Sequence, residues 1–461
     1  MYRYKRFINS EEAWLPQIPE HWGFRKIKYS FNERNEKNHP EAPLLVASQN
    51  MGVVPKDVYG QRTVVAQTNL ETLKFVHTGD YVISLRSFQG GIEYAYYQGI
   101  ISPAYTVMNP KNDFKSRYYT YLFKSKPFIA LLQTCVTGIR EGQNIDYRKL
   151  KNHYIPVPPL SEQNQIVRFL DWKVSEINKL VNIYIKEITD LEKIKNQIIL
   201  KAITGGLHKN TPTTDSGNTW IGKIPKEWKT AQIRRVANVT LGKMLAPVPS
   251  SNLDTYEEYI CAKDVHFGKV NLTNLKKMWF SPSDKRAYQI QAGDLLIVEG
   301  GAGAGNAAVV ESTANKRLYI QNSIHIVRPI KNRISTKFLC FWMQTLVNLG
   351  YMKYICSVAT IPHFTKDKVL STVMPLPPIE EQLEIVKYLE SLTNKIDNLS
   401  LNKREQISCL NELKSTTISD VITGKVDIRD IIIPQYEHFD DVVDENFKEN
   451  IEDMSDVDKE E

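Results

Sequence analysis

Long hydrophobic runs are missing from this 461-residue chain. None approaches the roughly 18 apolar residues a membrane-crossing helix needs. The opening MYRYKRFINS carries no charged-then-apolar leader, so a cytoplasmic location is expected. Cysteine is sparse: Cys135, Cys261, Cys340, Cys356 and Cys409 are scattered without CxxC spacing, which argues against a zinc site or a disulfide framework. HExxH, GxSxG and clustered His/Asp/Glu ligand spacings are also absent. GNTWIGKI (217–224) approaches a phosphate-binding loop but places Ile224 where a metal-holding hydroxyl is required. EGGAGAGNAAV (299–309) breaks the dinucleotide-binding order and reads better as a hairpin or an exposed loop. These absences lower the expectation of an enzyme.

What is present is ample apolar material and an uneven charge. Hydrophobic residues make up 42% of the chain, enough for more than one core at this length. The formal charge of +7 conceals a C-terminal stretch, 437–461, with twelve acidic residues against two lysines, so the rest of the chain carries +17. A basic body points to a polyanionic partner, against the blander reading of a solvated lysine-rich surface. The tail reads as acidic and disordered.

The dominant feature is an internal repeat. PVPPLSEQNQIVRFL (156–170) returns as PLPPIEEQLEIVKYL (375–389), AWLPQIPEHW (13–22) as TWIGKIPKEW (219–228), TGDYVISLR (78–86) as AGDLLIVEG (292–300), and AITGGL (202–207) as VITGKV (421–426). The offset grows from 206 at the tryptophan motif to 214 at Gly-Asp and 219 at the prolines, then stays fixed. Insertions are thus confined to the globular parts, and the segments after the prolines keep their length.

Those constant segments read as long helices. After Pro159 no glycine or proline appears until Gly205, with Ser161 as the expected cap, and about 43 helical residues would span roughly 65 Å. Heptad positions Val167, Leu170, Val174, Ile177, Val181, Tyr184, Ile188, Leu191 and Ile198 form an apolar seam interrupted at Lys195. The second copy offers Val386, Leu389, Ile396, Ile407 and Leu410 among more polar positions, with Leu392, Leu399 and Leu413 displaced by one. Each stripe must be buried, most simply against the other helix, so that the pair separates two α/β (α+β) modules; an antiparallel coiled coil would relate the modules in pseudo-twofold repeat. Strands are predicted in YVISLR, IISPAYTVM, DLLIVEG and LYIQNSIHIV, and helices in KSRYYTYLFKSKPFIALLQ and STKFLCFWMQTLVNLGYM. Trp14, Trp22, Trp220 and Trp228 are read as core anchors at the two module entries, against the alternative of base stacking.

The twice-occurring order of WIGKIPKEW-type, Gly-Asp, PxPPxxEQxxIVxxL and ITGK-type motifs, from about Trp14 to Val426, resembles the DNA specificity subunit of type I restriction-modification systems. The resemblance implies target-recognition domains at 1–155 and 207–374 and helical spacers at 156–206 and 375–426; the acidic tail, 427–461, departs from the family's usual compact ending. It implies a non-catalytic chain that reads an asymmetric, bipartite duplex target and docks two modification subunits, and through them restriction subunits. No cofactor belongs to the chain itself; S-adenosylmethionine would sit on the modification subunits, and ATP and Mg on the restriction subunits. The competing reading is a coiled-coil protein adaptor without base-specific DNA reading. The resemblance also implies that loops around the Gly-Asp strand and the segment before the prolines face DNA. In the first domain these offer Arg86, Gln89, Arg140, Gln143 and Asn144, and in the second Glu299, Asn306, Asn322, Thr360 and His363. Arginine suits guanine and Gln or Asn suits adenine in the major groove. Lys263, Lys276, Lys277 and Lys353 are read as phosphate contacts.

Overall fold

The computed structural model describes residues 3–60, 68–111, 114–137, 144–208, 210–313, 316–356 and 363–440. The chain divides into two compact units, Met1–Lys186 with Lys403–Glu461, and Glu187–Asn402. Two long helices, Leu160–Gly205 and Ile379–Ile422, are each divided between the units. Each unit therefore owns one module, the start of the helix that follows it, and the end of the other helix.

In the first unit the central sheet is antiparallel, built from Phe31–Arg34, Thr106–Pro110, Tyr81–Ile83 and Glu93–Tyr94 in that spatial order. In the second it is Ala237–Leu241, Ile324–Pro329, Leu295–Val298 and Ala307–Val309. Taken in chain order, both sheets run first, fourth, second, third. Even the registers agree: Met108 lies opposite Tyr81 as Val327 lies opposite Leu295. The predicted helices form, but with breaks. Tyr118–Lys124 stops at an extended Ser125 and resumes as Lys126–Thr134 with Pro127 in its first turn, where the missing N–H does no harm. Thr336–Asn348 is followed, past Gly350, by Tyr351–Ile355.

The Gly-Asp motif proves to be a turn lock. Asp80 and Asp294 accept backbone N–H bonds from His77 and Gln291, and each is gripped by an arginine: Arg34 Nε at 2.9 Å in one unit, Arg328 Nη2 at 2.6 Å in the other. Arg34 ends the first strand of its sheet, two strands from the Gly-Asp strand, and Arg328 sits on the fourth, which adjoins it, so equivalent carboxylates recruit their cation from different strands.

The remaining three repeated motifs meet at one joint in each unit. The proline strand Tyr154–Val157 pairs with Gly23–Lys26, directly after Trp22, as Val373–Leu376 pairs with Lys229–Gln232 after Trp228. The Glu-Gln of the helix start then closes the joint. Gln163 Nε2 donates to the Pro158 carbonyl at 2.8 Å and Gln382 Nε2 to Pro377 at 2.9 Å, so this glutamine secures the helix entry, while Ser161 is an exposed residue of the first turn. Glu162 accepts from Tyr4 Oη and pairs with His21 Nε2 at 2.8 Å; its counterpart Glu381 accepts from Trp228 Nε1 at 2.9 Å. The ITG ending of the other helix completes each joint. Gly424 lies against Pro19 and Trp22, and Gly206, one residue past the ITG glycine Gly205, against Trp228 and Glu381. Trp22 and Trp228 are buried at 3% and 5% exposure, and Trp14 and Trp220 are half-buried.

Both helices feed the cores they cross. Ile166, Phe169 and Leu170 join Val421 and Ile422 in the first core, and Ile199, Ala202 and Ile203 join Ile385, Val386 and Leu389 in the second. The pairing is antiparallel within each unit. Asn178 meets Lys414 and Tyr184 meets Lys403 in the first, and Lys195 reaches Asp397 at 2.5 Å in the second. Every seam residue named from the heptads is buried or half-buried, Lys195 is half-buried in its ion pair, and Leu399 and Leu413 are exposed. One expectation needs correction: residues 427–440 are not a disordered tail. Ile428 is fully buried, and the segment is held on the first long helix by Gln165 Nε2 to the Ile431 carbonyl (2.7 Å) and Asn178 Nδ2 to the Phe439 carbonyl (3.0 Å). Hydrophobic Ile428, Ile431 and Ile433, not the acidic residues, decide where this segment goes. Residues 441–461 lie outside the described residues.

Candidate nucleic-acid interface

In the first unit the loop after the Gly-Asp strand forms a short helix, Ser87–Gly90, flanked by exposed Arg86 and carrying exposed Gln89. This helix packs on the two-residue strand Asn144–Ile145, whose Asn144 is exposed, so three of the sequence candidates share one region. Arg140 and Gln143 lie outside the described residues. A third element completes the cluster. The hairpin Leu45–Ser48/Gly52–Pro55 turns through Gln49, Asn50 and Met51, with Ser48 Oγ accepting the N–H groups of Asn50 and Met51. Gln49 Nε2 points at the Arg86 carbonyl at 3.4 Å, and the Gln49 carbonyl accepts Lys124 Nζ at 3.0 Å.

Lys124 is in turn paired with Glu93 at 2.5 Å, a carboxylate only 1% exposed. Burial pushes Glu93 up to about 7 and pulls Lys124 down, each against the attraction of the other. Both partners thus move toward their neutral forms, which means desolvation outweighs their mutual attraction.

The second unit assembles the equivalent loops by backbone bonds. Ala262 N–H donates to Ser323 Oγ (3.0 Å), Glu299 N–H to the Ser323 carbonyl (2.8 Å), and Phe364 N–H to the Glu299 carbonyl (2.6 Å), with Gly300 bridged to His363. This chain of contacts brings together the loops of Lys263, Asn322, Glu299 and His363. Lys263 and His363 are exposed; Glu299 is half-buried, and burial raises its carboxyl while nearby His363 opposes the shift. Asn322 is half-buried, accepting from Gln321 Nε2 at 2.5 Å. Asn306 is turned into its own hairpin, donating its N–H to Gly303, so the glycine-rich stretch is a turn between Leu295–Val298 and Ala307–Val309. Lys276 and Lys277 open a separate strand, Lys276–Phe280, paired with Thr255–Ile260, and do not join the cluster. Lys353 is exposed on Tyr351–Ile355, whose Met352 touches Gly305. Thr360 lies outside the described residues.

The type I restriction modification DNA specificity domain matches twice, over residues 25–197 and 225–408. The chain belongs to this family. The specificity subunit of the type I restriction enzyme MjaVIII of Methanocaldococcus jannaschii is 25% identical over 384 residues, spanning 79% of this chain and 82% of the relative. The EcoBI specificity subunit of Escherichia coli is 23% identical over 294 residues, 62% of this chain and 60% of the relative. A chain solved in work on the complex assembly and conformational transition of a type I restriction-modification system shares the fold. Its TM-score is 0.66 at 17% identity, over 89% of this chain and 99% of that one. Two family domains in tandem identify a specificity subunit with two target-recognition domains, a non-catalytic DNA-recognition component. Among the described residues no group of three or more His, Cys, Asp or Glu is placed to hold a metal ion, and no helix is long and apolar enough to cross a membrane.

Sequence reasoning missed Gln49, Asn50 and Lys124 in the first module. Aligning the repeat at the Gly-Asp offset of 214 places Gln49 opposite Lys263, a residue already singled out in the second module. That comparison would have found it.

Proposed function

We propose that the two loop clusters read the two halves of an asymmetric bipartite duplex sequence, and that the long helices dock two modification subunits, through which restriction subunits join. The observation that carries this reading is one shared frame bearing unlike tips. A turn, a post-strand loop and a pre-proline segment converge in both units, but present Gln49, Arg86, Gln89 and Asn144 in one, where the turn is a hairpin tip, and Lys263, Glu299 and His363 in the other, where it is the turn Ala262–Asp264. Unlike side chains on a common frame read unlike bases. The basic body supplies the phosphate attraction, so binding should weaken steeply with salt. Docking is supported by apolar side chains left exposed along the helices: Leu180, Ile183 and Ile194 on the first, Tyr388, Leu399 and Leu413 on the second. S-adenosylmethionine, ATP and Mg belong on this reading to those partners.

The test is to express the chain with a modification subunit in a methylation-free host, purify the complex, and map modified bases genome-wide. One two-part motif with a fixed gap is expected. A verified complex that modifies without any motif would overturn the reading in favour of a protein-only adaptor.

A further inference from the structure

We propose that Gln49 is a base-reading residue of the first module, and that Lys124, anchored by Glu93, is its positioning residue. The inference rests on the DNA-reading role proposed above and adds a residue to it.

Base discrimination needs a side chain held in place before the duplex arrives. Among the described residues the side chains of the other candidates in the first cluster, Arg86, Gln89 and Asn144, make no hydrogen bond. Gln49 is held at three points: Lys124 grips its carbonyl, its amide leans on the Arg86 carbonyl, and Gly90 lies beneath it. A Cβ at Gly90 would come within 2.6 Å of Gln49 Cδ, so the side chain rests where only glycine leaves room. The amide still has one N–H and its carbonyl oxygen free to face solvent, the donor-acceptor pair that matches adenine N7 and N6.

Glu93 and Lys124 give the second reason. An ion pair buried against the preference of both its members stabilises a core poorly, and apolar residues of similar volume would serve packing at least as well. What the pair does accomplish is to fix Lys124 Nζ under the hairpin tip, with another of its N–H bonds directed at the Gln49 carbonyl. In the second module the turn Ala262–Asp264 is held differently, with Ala262 bonded to Ser323 and Lys263 beside Asp264 at 3.9 Å.

The experiment maps modified bases for the full complex carrying wild-type chain, Gln49→Ala, and the double variant Glu93→Leu/Lys124→Met, with in vitro methylation of oligonucleotides altered at each motif position. Gln49→Ala is expected to lose about tenfold or more of its discrimination at one adenine-containing position of one half-site, as removal of a two-point base contact should. The other half-site stays unchanged. The double variant is expected to fold at least as stably, yet relax the same position, with no further relaxation when combined with Gln49→Ala. A role in stability alone would lower complex yield and leave the motif intact, overturning the positioning claim. An unchanged motif for Gln49→Ala, or equal relaxation of both half-sites, would overturn the reading role. If wild type itself yields no two-part motif, the function above fails and takes this inference with it; a wild-type motif that Gln49→Ala leaves intact sinks this inference alone.

Discussion

The two units share a strand order, a register and a joint, yet they do not share the chemistry that closes the joint. In the first, Glu162 is only 5% exposed and is satisfied by Tyr4 and His21; in the second, Glu381 is half-buried and satisfied by Trp228. The left-handed glycine that ends the opposite helix, Gly424 in the first joint and, one repeat position later, Gly206 in the second, packs tightly in one joint and loosely in the other. Geometry has been held while donors were exchanged. A carboxylate at the helix start needs hydrogen-bond donors once buried, and any side chain that delivers one from the entry loop will do. The loop tips differ far more than the joint. The joint is constrained by three segments at once, whereas an exposed tip answers only to its ligand.

The sharpest way to break this comparison is at the two glycines. Gly424 and Gly206 both have φ of +74°, where a side chain is strained. A Cβ at Gly424 would also sit 2.5 Å from Pro19 Cδ and 3.0 Å from Trp22, while at Gly206 the tightest approach is 3.0 Å, to Glu381 Oε1. The first joint has no slack, because proline cannot rotate away. Gly424→Ala should therefore cost about 2–4 kcal/mol, combining backbone strain with overpacking, and Gly206→Ala about 1–2 kcal/mol. Urea unfolding of each full-length variant checks the difference. Equal losses would show that the joints are equally loose.

Much of this architecture was legible before any coordinates. Fixed spacing after the prolines and the heptad seam announced two long helices, because burial of an apolar stripe imposes a period that survives in the sequence. Trp22 and Trp228 were readable as anchors for the same reason. The joint itself was not legible, since Glu162 and Glu381 acquire their meaning from Tyr4, His21 and Trp228, residues more than 140 positions away. The ordered segment 427–440 was missed because the acidic stretch 437–461 set the reading of everything after the second helix, while three isoleucines and backbone carbonyls of 427–440 make the contacts. Candidate base readers were legible as residue types on exposed loops. Their convergence was not, because it depends on the hairpin tip at Gln49, which no motif marks.

A smaller effect separates the two tryptophans. Trp228 Nε1 donates to Glu381, but Trp22 Nε1 is buried without a partner among the described residues. Trp228→Phe removes apolar area and a charge-assisted bond; Trp22→Phe removes comparable area together with an unsatisfied donor. Trp228→Phe should therefore cost about 1–2 kcal/mol more than Trp22→Phe, judged from hydrogen bonds to charged groups. Paired unfolding curves measure this directly. A larger loss for Trp22→Phe would mean that the first joint depends on packing alone.

The last difference involves a single proton. His325, on the strand Ile324–Pro329, is fully buried in the second unit; its counterpart at the 219-residue offset is Thr106, which cannot titrate. His325 Nε2 donates to the Phe364 carbonyl at 2.9 Å, while Nδ1 has no partner among the described residues and would have to carry the added proton unsolvated. Burial accordingly lowers its pKa, with Lys366 acting in the same direction and the Phe364 bond opposing it. The unfolded chain then binds the proton more readily than the folded one, so stability falls as the pH drops through and below the ordinary histidine value of about 6.5. Hydrogen exchange on the full chain should show the strands around His325 losing protection on acidification, and His325→Thr should flatten that loss. Because Phe364 follows His363 in the loop cluster, the first segment released should be the pre-proline one, and the second module's proposed reading surface should loosen before its core. Acid loss of protection that persists unchanged in His325→Thr would assign the effect to other groups.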